Sequence, residues 1–226
     1  MQSLSFTQEY FLCALNPKGK APLSLEGTFQ ACVLAGGIAE LLDRGYFTLG
    51  QKDRLTPGLP WDGGLPHLVP LHAAIASSRK PPTAKDLADR YVVMSGKLGK
   101  ELFASFGQSL VAAGCATRST EPGWFGEKAR FAPRPQAVTR VIERVRAEVL
   151  EAGPIDDQTI CLIALLDKSK LLKQYFSKVE RGMLRERLRQ ARATGPYKSV
   201  GRVVDHVETM VAAIVTVIVV TAPGAS

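Results

Sequence analysis

The chain has 226 residues, 46% of them hydrophobic, enough material to close a core in a single domain over residues 1–226. A formal charge of +8 and a pI near 9.5 point to an anionic partner, either a nucleic acid or a membrane surface. The cysteines Cys13, Cys32, Cys115 and Cys161 lie far apart, three of them in apolar periodic stretches, which sets aside a disulfide framework and a metal site and leaves buried thiols in a reducing compartment.

Met1-Gln-Ser-Leu-Ser shows no basic stretch followed by a long apolar run, so no secretory signal is expected and a cytoplasmic location is. Thr7 to Leu15 predicts a short helix, and Asn16-Pro17-Lys18-Gly19-Lys20 a turn displaying two lysines. From Thr28 to Asp43, Ala31, Leu34, Ala35, Ile38, Leu41 and Leu42 recur at three- and four-residue spacings, with Arg44 as a last-turn cation and Gly45 as the C-cap. Tyr46 to Leu49 alternates like a strand, and Thr56 to Pro70 reads as a Pro- and Gly-rich loop containing Trp61 and His67. Leu71 to Ser77 is a short helix. A further helical stretch opens at Thr83 and runs to Gly114, with Leu98, Leu102, Phe106 and Leu110 in register and Lys97 and Lys100 away from that seam.

Residues 114–132 then read as a β-hairpin whose tip is Pro122-Gly123-Trp124-Phe125-Gly126. Turns face water and favour Gly, Pro, Asn and Asp. Two large aromatics there, with Arg118, Lys128 and Arg130 on the arms, read as a surface meant to be buried in a lipid interface, where Trp and Phe enter the headgroup region and Lys and Arg stay with anionic headgroups. The alternative is that Trp124 and Phe125 fold back onto the body. Past Pro133 and Pro135, the stripe Val138, Ile142, Val145, Val149 predicts a helix whose Arg140, Arg144 and Arg146 share a solvated face with Glu143 and Glu148. Asp156 or Asp157 caps the apolar helix Ile160 to Leu166. Lys168 to Arg192 is expected as one long helix with Leu171, Leu172, Phe176, Val179, Met183, Leu184 and Leu188 inward, stopped by Gly195-Pro196. Met210 to Ala222 is almost wholly apolar over 13 residues. A membrane span needs about 20, so this segment is expected as a buried helix at the centre of the fold.

Chemistry that would mark an enzyme is missing from the pattern. Gly36-Gly37 lies within a helix and Gly63-Gly64 is not followed by Lys-Ser/Thr, so no phosphate-cradling loop is read. His67, His72 and His206 lack metal-ligand spacing, His206 reads as a structural histidine, and no nucleophile pairs with a base. No enzyme, cofactor or metal is therefore expected.

In order and spacing, Phe6-Thr7-Gln8-Glu9-Tyr10-Phe11-Leu12-Cys13-Ala14-Leu15, Gly36-Gly37-Ile38-Ala39-Glu40-Leu41-Leu42-Asp43-Arg44-Gly45, Leu110 to Gly114, Ala147 to Leu165 and Val211 to Ile214 together resemble the Golgi phosphoprotein 3 family, or GPP34 domain, over nearly the whole chain, as a compact, prokaryotic-type member. The resemblance implies a mainly α fold: a ring of amphipathic helices around a central apolar helix, at about 200–222 here, with a protruding β-hairpin. It further implies a peripheral protein on the cytosolic face of a membrane that binds phosphatidylinositol 4-phosphate in a basic pocket beside the hairpin, tethers client proteins, and can oligomerise through the hairpin. The family's pocket Trp falls near Leu23 to Leu25 and its next Arg near Leu34. Of its basic pair before the hairpin, Lys100 matches the first and Phe103 stands at the second. Anionic phospholipid in general is therefore the expected ligand. Lys18, Lys20, Lys97, Lys100, Arg118, Lys128 and Arg130 are the headgroup candidates and Trp124 and Phe125 the inserting pair. Two other readings remain: an interaction module pairing through its hairpin, and a basic helical nucleic-acid binder, which Glu180 and Glu186 disfavour by interrupting the Arg181 to Arg192 run.

Overall fold

The computed structural model describes residues 3–20, 26–92, 97–123, 126–151, 155–193, 205 and 208–216. The architecture is mainly α, with two small antiparallel hairpins. At the N-terminus, Ser5 begins helix α1 (Phe6–Ala14) as a capping box, its side chain accepting from the Gln8 amide while Gln8 reaches back to the Ser5 N–H. Every residue of α1 is buried, polar ones included. Helix α2 (Glu26–Asp43) is buried without interruption from Ala31 to Leu41, and ends on Gly45 at φ 73°, the conformation its C-cap position requires. The Gly36-Gly37 pair explains how neighbours approach this helix so closely. A Cβ at 36 would meet the Thr7 side chain at 2.7 Å, and one at 37 would meet Leu71 at 2.9 Å.

Strand β1 (Phe47–Leu49) pairs with β2 (Leu55–Pro57), a partner the sequence pattern hides in a proline-rich stretch. A 3-10 turn over Pro66–Leu68 leads into α3 (Val69–Ala76). The stretch expected to be helical from Thr83 carries α4 (Ala84–Val92) and α5 (Lys97–Ala112), and residues 93–96 between them lie outside the described residues. Strands β3 (Ala116–Gly123) and β4 (Gly126–Pro133) form the expected hairpin, pairing Gly123 with Gly126 and Ala116 with Pro133. Helix α6 (Pro135–Leu150) buries Ala137, Val141, Ile142, Val145 and Val149. Asp156 caps α7 (Asp157–Lys168), accepting from the Gln158 amide at 2.7 Å, and α7 is buried from Thr159 to Leu166.

Two expectations need correcting. The long helix from Lys168 is broken into α8 (Leu172–Tyr175) and α9 (Lys178–Ala193). Ser177 and Glu180 form a second capping box at the break, with the Ser177 N–H donating to Glu180 at 2.7 Å, and a new helix start wins over continuation. Consequently Val179 and Met183 turn outward, 74% and 37% exposed, while Leu171, Leu172, Phe176, Leu184 and Leu188 stay inside. Segment 208–216 is helical. Met210, Val211 and Ile214 are buried whereas Ala212, Ala213 and Thr216 are exposed, and residues 217–222 of that expected core helix lie outside the described residues. The helices enclosed by the core are α1, α2 and α7, which touch one another. Among the described residues no helix is long and apolar enough to cross a membrane.

Candidate functional site

The hairpin is anchored through one ring. Phe131 is buried under α5, packed against Phe103 at 5.9 Å between centroids, and Gly107 makes room for it, since a Cβ there would lie 2.2 Å from the ring. The turn at 16–20 closes on the other side. Asn16 accepts from the Lys18 and Lys20 amides at 2.9 and 3.1 Å, and Gly19, at φ 68°, sits where a Cβ would be 2.7 Å from the Phe131 carbonyl oxygen. That close approach ties the lysine turn to β4.

In an antiparallel pair, directly opposed residues share a face and alternate along each strand. The register opposes Arg118 to Phe131, Ser119 to Arg130 and Glu121 to Lys128. The face bearing Phe131 meets α5, so Glu121, Lys128 and Arg130 share the opposite face. Lys20 joins them from the turn, its Nζ 3.8 Å from Glu121, while Arg130 Nε donates to the same Glu121 carboxylate at 2.9 Å. The Arg130 hydrogen bond, with the positive fields of Arg130, Lys20 and Lys128, holds the Glu121 carboxyl below its usual range.

Three of the sequence-predicted cations, Lys20, Lys128 and Arg130, are thus gathered about one carboxylate. Arg118 and Lys18 are exposed nearby in sequence, Arg118 on the strand face that carries Phe131. Lys97 and Lys100 are exposed on the first turn of α5, Lys97 paired with Glu101 at 3.7 Å. Leu34, near which the resemblance puts the family's next Arg, is fully buried, and Phe103 packs on the core. Trp124, Phe125, Leu23 to Leu25 and His206 lie outside the described residues. The residue missed from sequence is Glu121. Counting outward equally from the tip opposes it to Lys128 and would have found it, whereas the reach of Lys20 is purely tertiary.

Two internal networks stand apart from this face. Arg144, expected in a solvated row, clamps α1, α6 and α7 together instead, donating to Glu9 at 2.5 Å, Glu148 at 3.0 Å and the Thr159 hydroxyl. Burial nevertheless pushes the Glu9 carboxyl up to about 7, outweighing the arginine. His67, expected in a loop, is buried on the 3-10 turn, its Nε2 2.8 Å from Glu40 and 3.3 Å from the Ser5 hydroxyl, at one wall of a cavity of about 440 Å³. Ser5 and Glu40 meet the same ring nitrogen. A hydroxyl-imidazole-carboxylate relay needs opposite nitrogens, and Glu40 also accepts from the Thr7 N–H, so this cluster caps α1. The arginine run on α9 is likewise engaged: Arg181 donates to the Phe176 carbonyl, Arg185 to Asp167, Arg187 to the Glu148 and Glu151 carbonyls, and Arg189 to Glu186. Cys13, Cys32, Cys115 and Cys161 are free and buried, and no metal-binding cluster occurs among the described residues.

Among known proteins, a family model described as Golgi phosphoprotein 3 (GPP34) matches residues 6–214, and the chain belongs to that family. No curated protein matches it.

Proposed function

We propose that this member of the Golgi phosphoprotein 3 family is a peripheral membrane adaptor that binds anionic phospholipid through the hairpin and the lysine turn beside it. The observation that carries the reading is the gathering of Lys20, Lys128 and Arg130 around Glu121 on the hairpin face opposite Phe131. Each cation near an anionic bilayer contributes about 1 kcal/mol, screened by salt. Lys18, Arg118, Lys97 and Lys100 add exposed charge, and Trp124 and Phe125 supply apolar area at roughly 25 cal/mol per Å² removed from water. Neither contribution alone gives firm attachment, and together they give reversible, salt-sensitive docking on the cytosolic face. Phosphatidylinositol 4-phosphate is the headgroup that family membership favours.

Vesicle flotation tests this. The parent should float with phosphatidylserine or phosphatidylinositol 4-phosphate vesicles, not with phosphatidylcholine alone, and recovery should fall as salt rises. Removing two charges, as in Lys20→Gln with Lys128→Gln, should weaken binding roughly 30-fold, and Trp124→Ala with Phe125→Ala should lower recovery further. Equal recovery with neutral and anionic vesicles would sink the proposal.

A further inference from the structure

An acidic side chain at the centre of a surface built to meet anions is out of place unless it has a task. Glu121 is that side chain. Arg130 Nε lies 2.9 Å from its carboxylate and Lys20 Nζ 3.8 Å, and Lys128 stands directly opposite in register. The fold depends little on it: the side chain is 46% exposed, its pair with the equally exposed Lys20 adds little stability, and its polar contacts run to cations rather than to backbone. Arg130, by contrast, is only 14% exposed, so its guanidinium stays in the hairpin face and an anion must come to it. A carboxylate held by a guanidinium and an ammonium group, with a second lysine across the strand pair, occupies the place of a phosphate oxyanion, with the same acceptor chemistry and the same charge-assisted donors.

We infer that Glu121 is the internal counter-ion of this face, standing where the phosphate of a headgroup binds and giving way to it when the hairpin docks. The inference rests on the membrane reading above and adds how that site is regulated. Exchanging one carboxylate for one singly charged phosphodiester changes little. The exchange becomes favourable where headgroups are dense or doubly charged, so Glu121 keeps the protein off weakly charged bilayers and makes attachment steep in surface charge.

The experiment compares the parent, Glu121→Gln and Glu121→Asp on phosphatidylcholine vesicles carrying rising fractions of phosphatidylserine, with inorganic pyrophosphate as a soluble probe followed by amide chemical shifts. Glu121→Gln should bind anionic vesicles about five-fold tighter at low salt, one charge's worth, and at lower phosphatidylserine fractions, while Glu121→Asp stays near the parent. In an Arg130→Gln background the gain should shrink. If Glu121→Gln binds anionic vesicles as the parent does, or more weakly, Glu121 only orders its neighbours and the counter-ion role is overturned while the membrane reading stands. If no variant floats but Glu121→Gln still takes pyrophosphate more tightly than the parent, the membrane reading falls and the counter-ion role stands. Binding of neither probe by any variant overturns both.

Discussion

Single atoms decide several of the contacts that hold this molecule. Gly107 lies within α5, where glycine is a poor helix former, because the Phe131 ring occupies the place of its missing side chain. Gly107→Ala should therefore destabilise the protein by about 2 kcal/mol in denaturant unfolding. In a Phe131→Ala background the same change should turn neutral or stabilising by up to about 1 kcal/mol, as helix propensity alone would have it. Glu9 makes a prediction in pH. Its carboxyl, at about 7 in the folded protein against an ordinary 4.5, binds more protons folded than unfolded between those values. Stability from this group is complete below about pH 4.5 and is lost as pH rises through 7. Relative to Glu9→Gln, which keeps the neutral shape, the parent should lose up to about 3 kcal/mol across that window. A flat difference between the two pH profiles would show that the Arg144 pair, not burial, governs Glu9.

At the scale of elements, helix starts are the features written most locally. Ser5 and Ser177 each open a capping box, and Ser177→Ala should cost about 1 kcal/mol and loosen α9, seen as faster amide exchange in its first turn. Arg146 reinforces that corner, bonded to Glu180 at 2.6 Å and Glu143 at 2.5 Å, with its guanidinium 5.5 Å from the centre of the Phe176 ring. The hairpin depends on Phe131 in a different way. Among the described residues its strands pair only with each other, and an isolated two-stranded hairpin is marginal in water, so the ring under α5 and the close-packed turn at Gly19 hold it in place. Phe131→Ala should cost about 3 kcal/mol and should release the hairpin from the body first, as early proteolysis within 116–133.

For the whole molecule, the +8 charge matters through where it is left uncompensated. Arg181, Arg185, Arg187 and Arg189 of α9 are spent on acceptors inside the molecule, whereas Lys20, Lys128 and Arg130 share one carboxylate among three. On the proposed function, vesicle binding should weaken steeply with ionic strength, because exposed charges more than about 8–10 Å apart are screened at physiological salt. A gel shift with duplex DNA at that salt should show no retardation; a discrete shifted band would favour the nucleic-acid reading.

The short-range features of this chain were legible from its residues alone: the capping of α7 at Asp156-Asp157, where Asp156 takes the role, the end of α2 at Gly45, the hairpin, the buried thiols and the family itself. Each depends on spacing within one or two turns, or on an order of segments that a linear string preserves. What lay beyond it was decided by packing. Burial of all of α1, the outward turn of Val179 and Met183, the clamp at Arg144 and the meeting of Lys20 with Glu121 were settled by residues far apart in sequence. Hydrophobicity says that a side chain would rather be buried. Only the finite space around α1, α2 and α7 settles which ones are, and which charges are left facing outward.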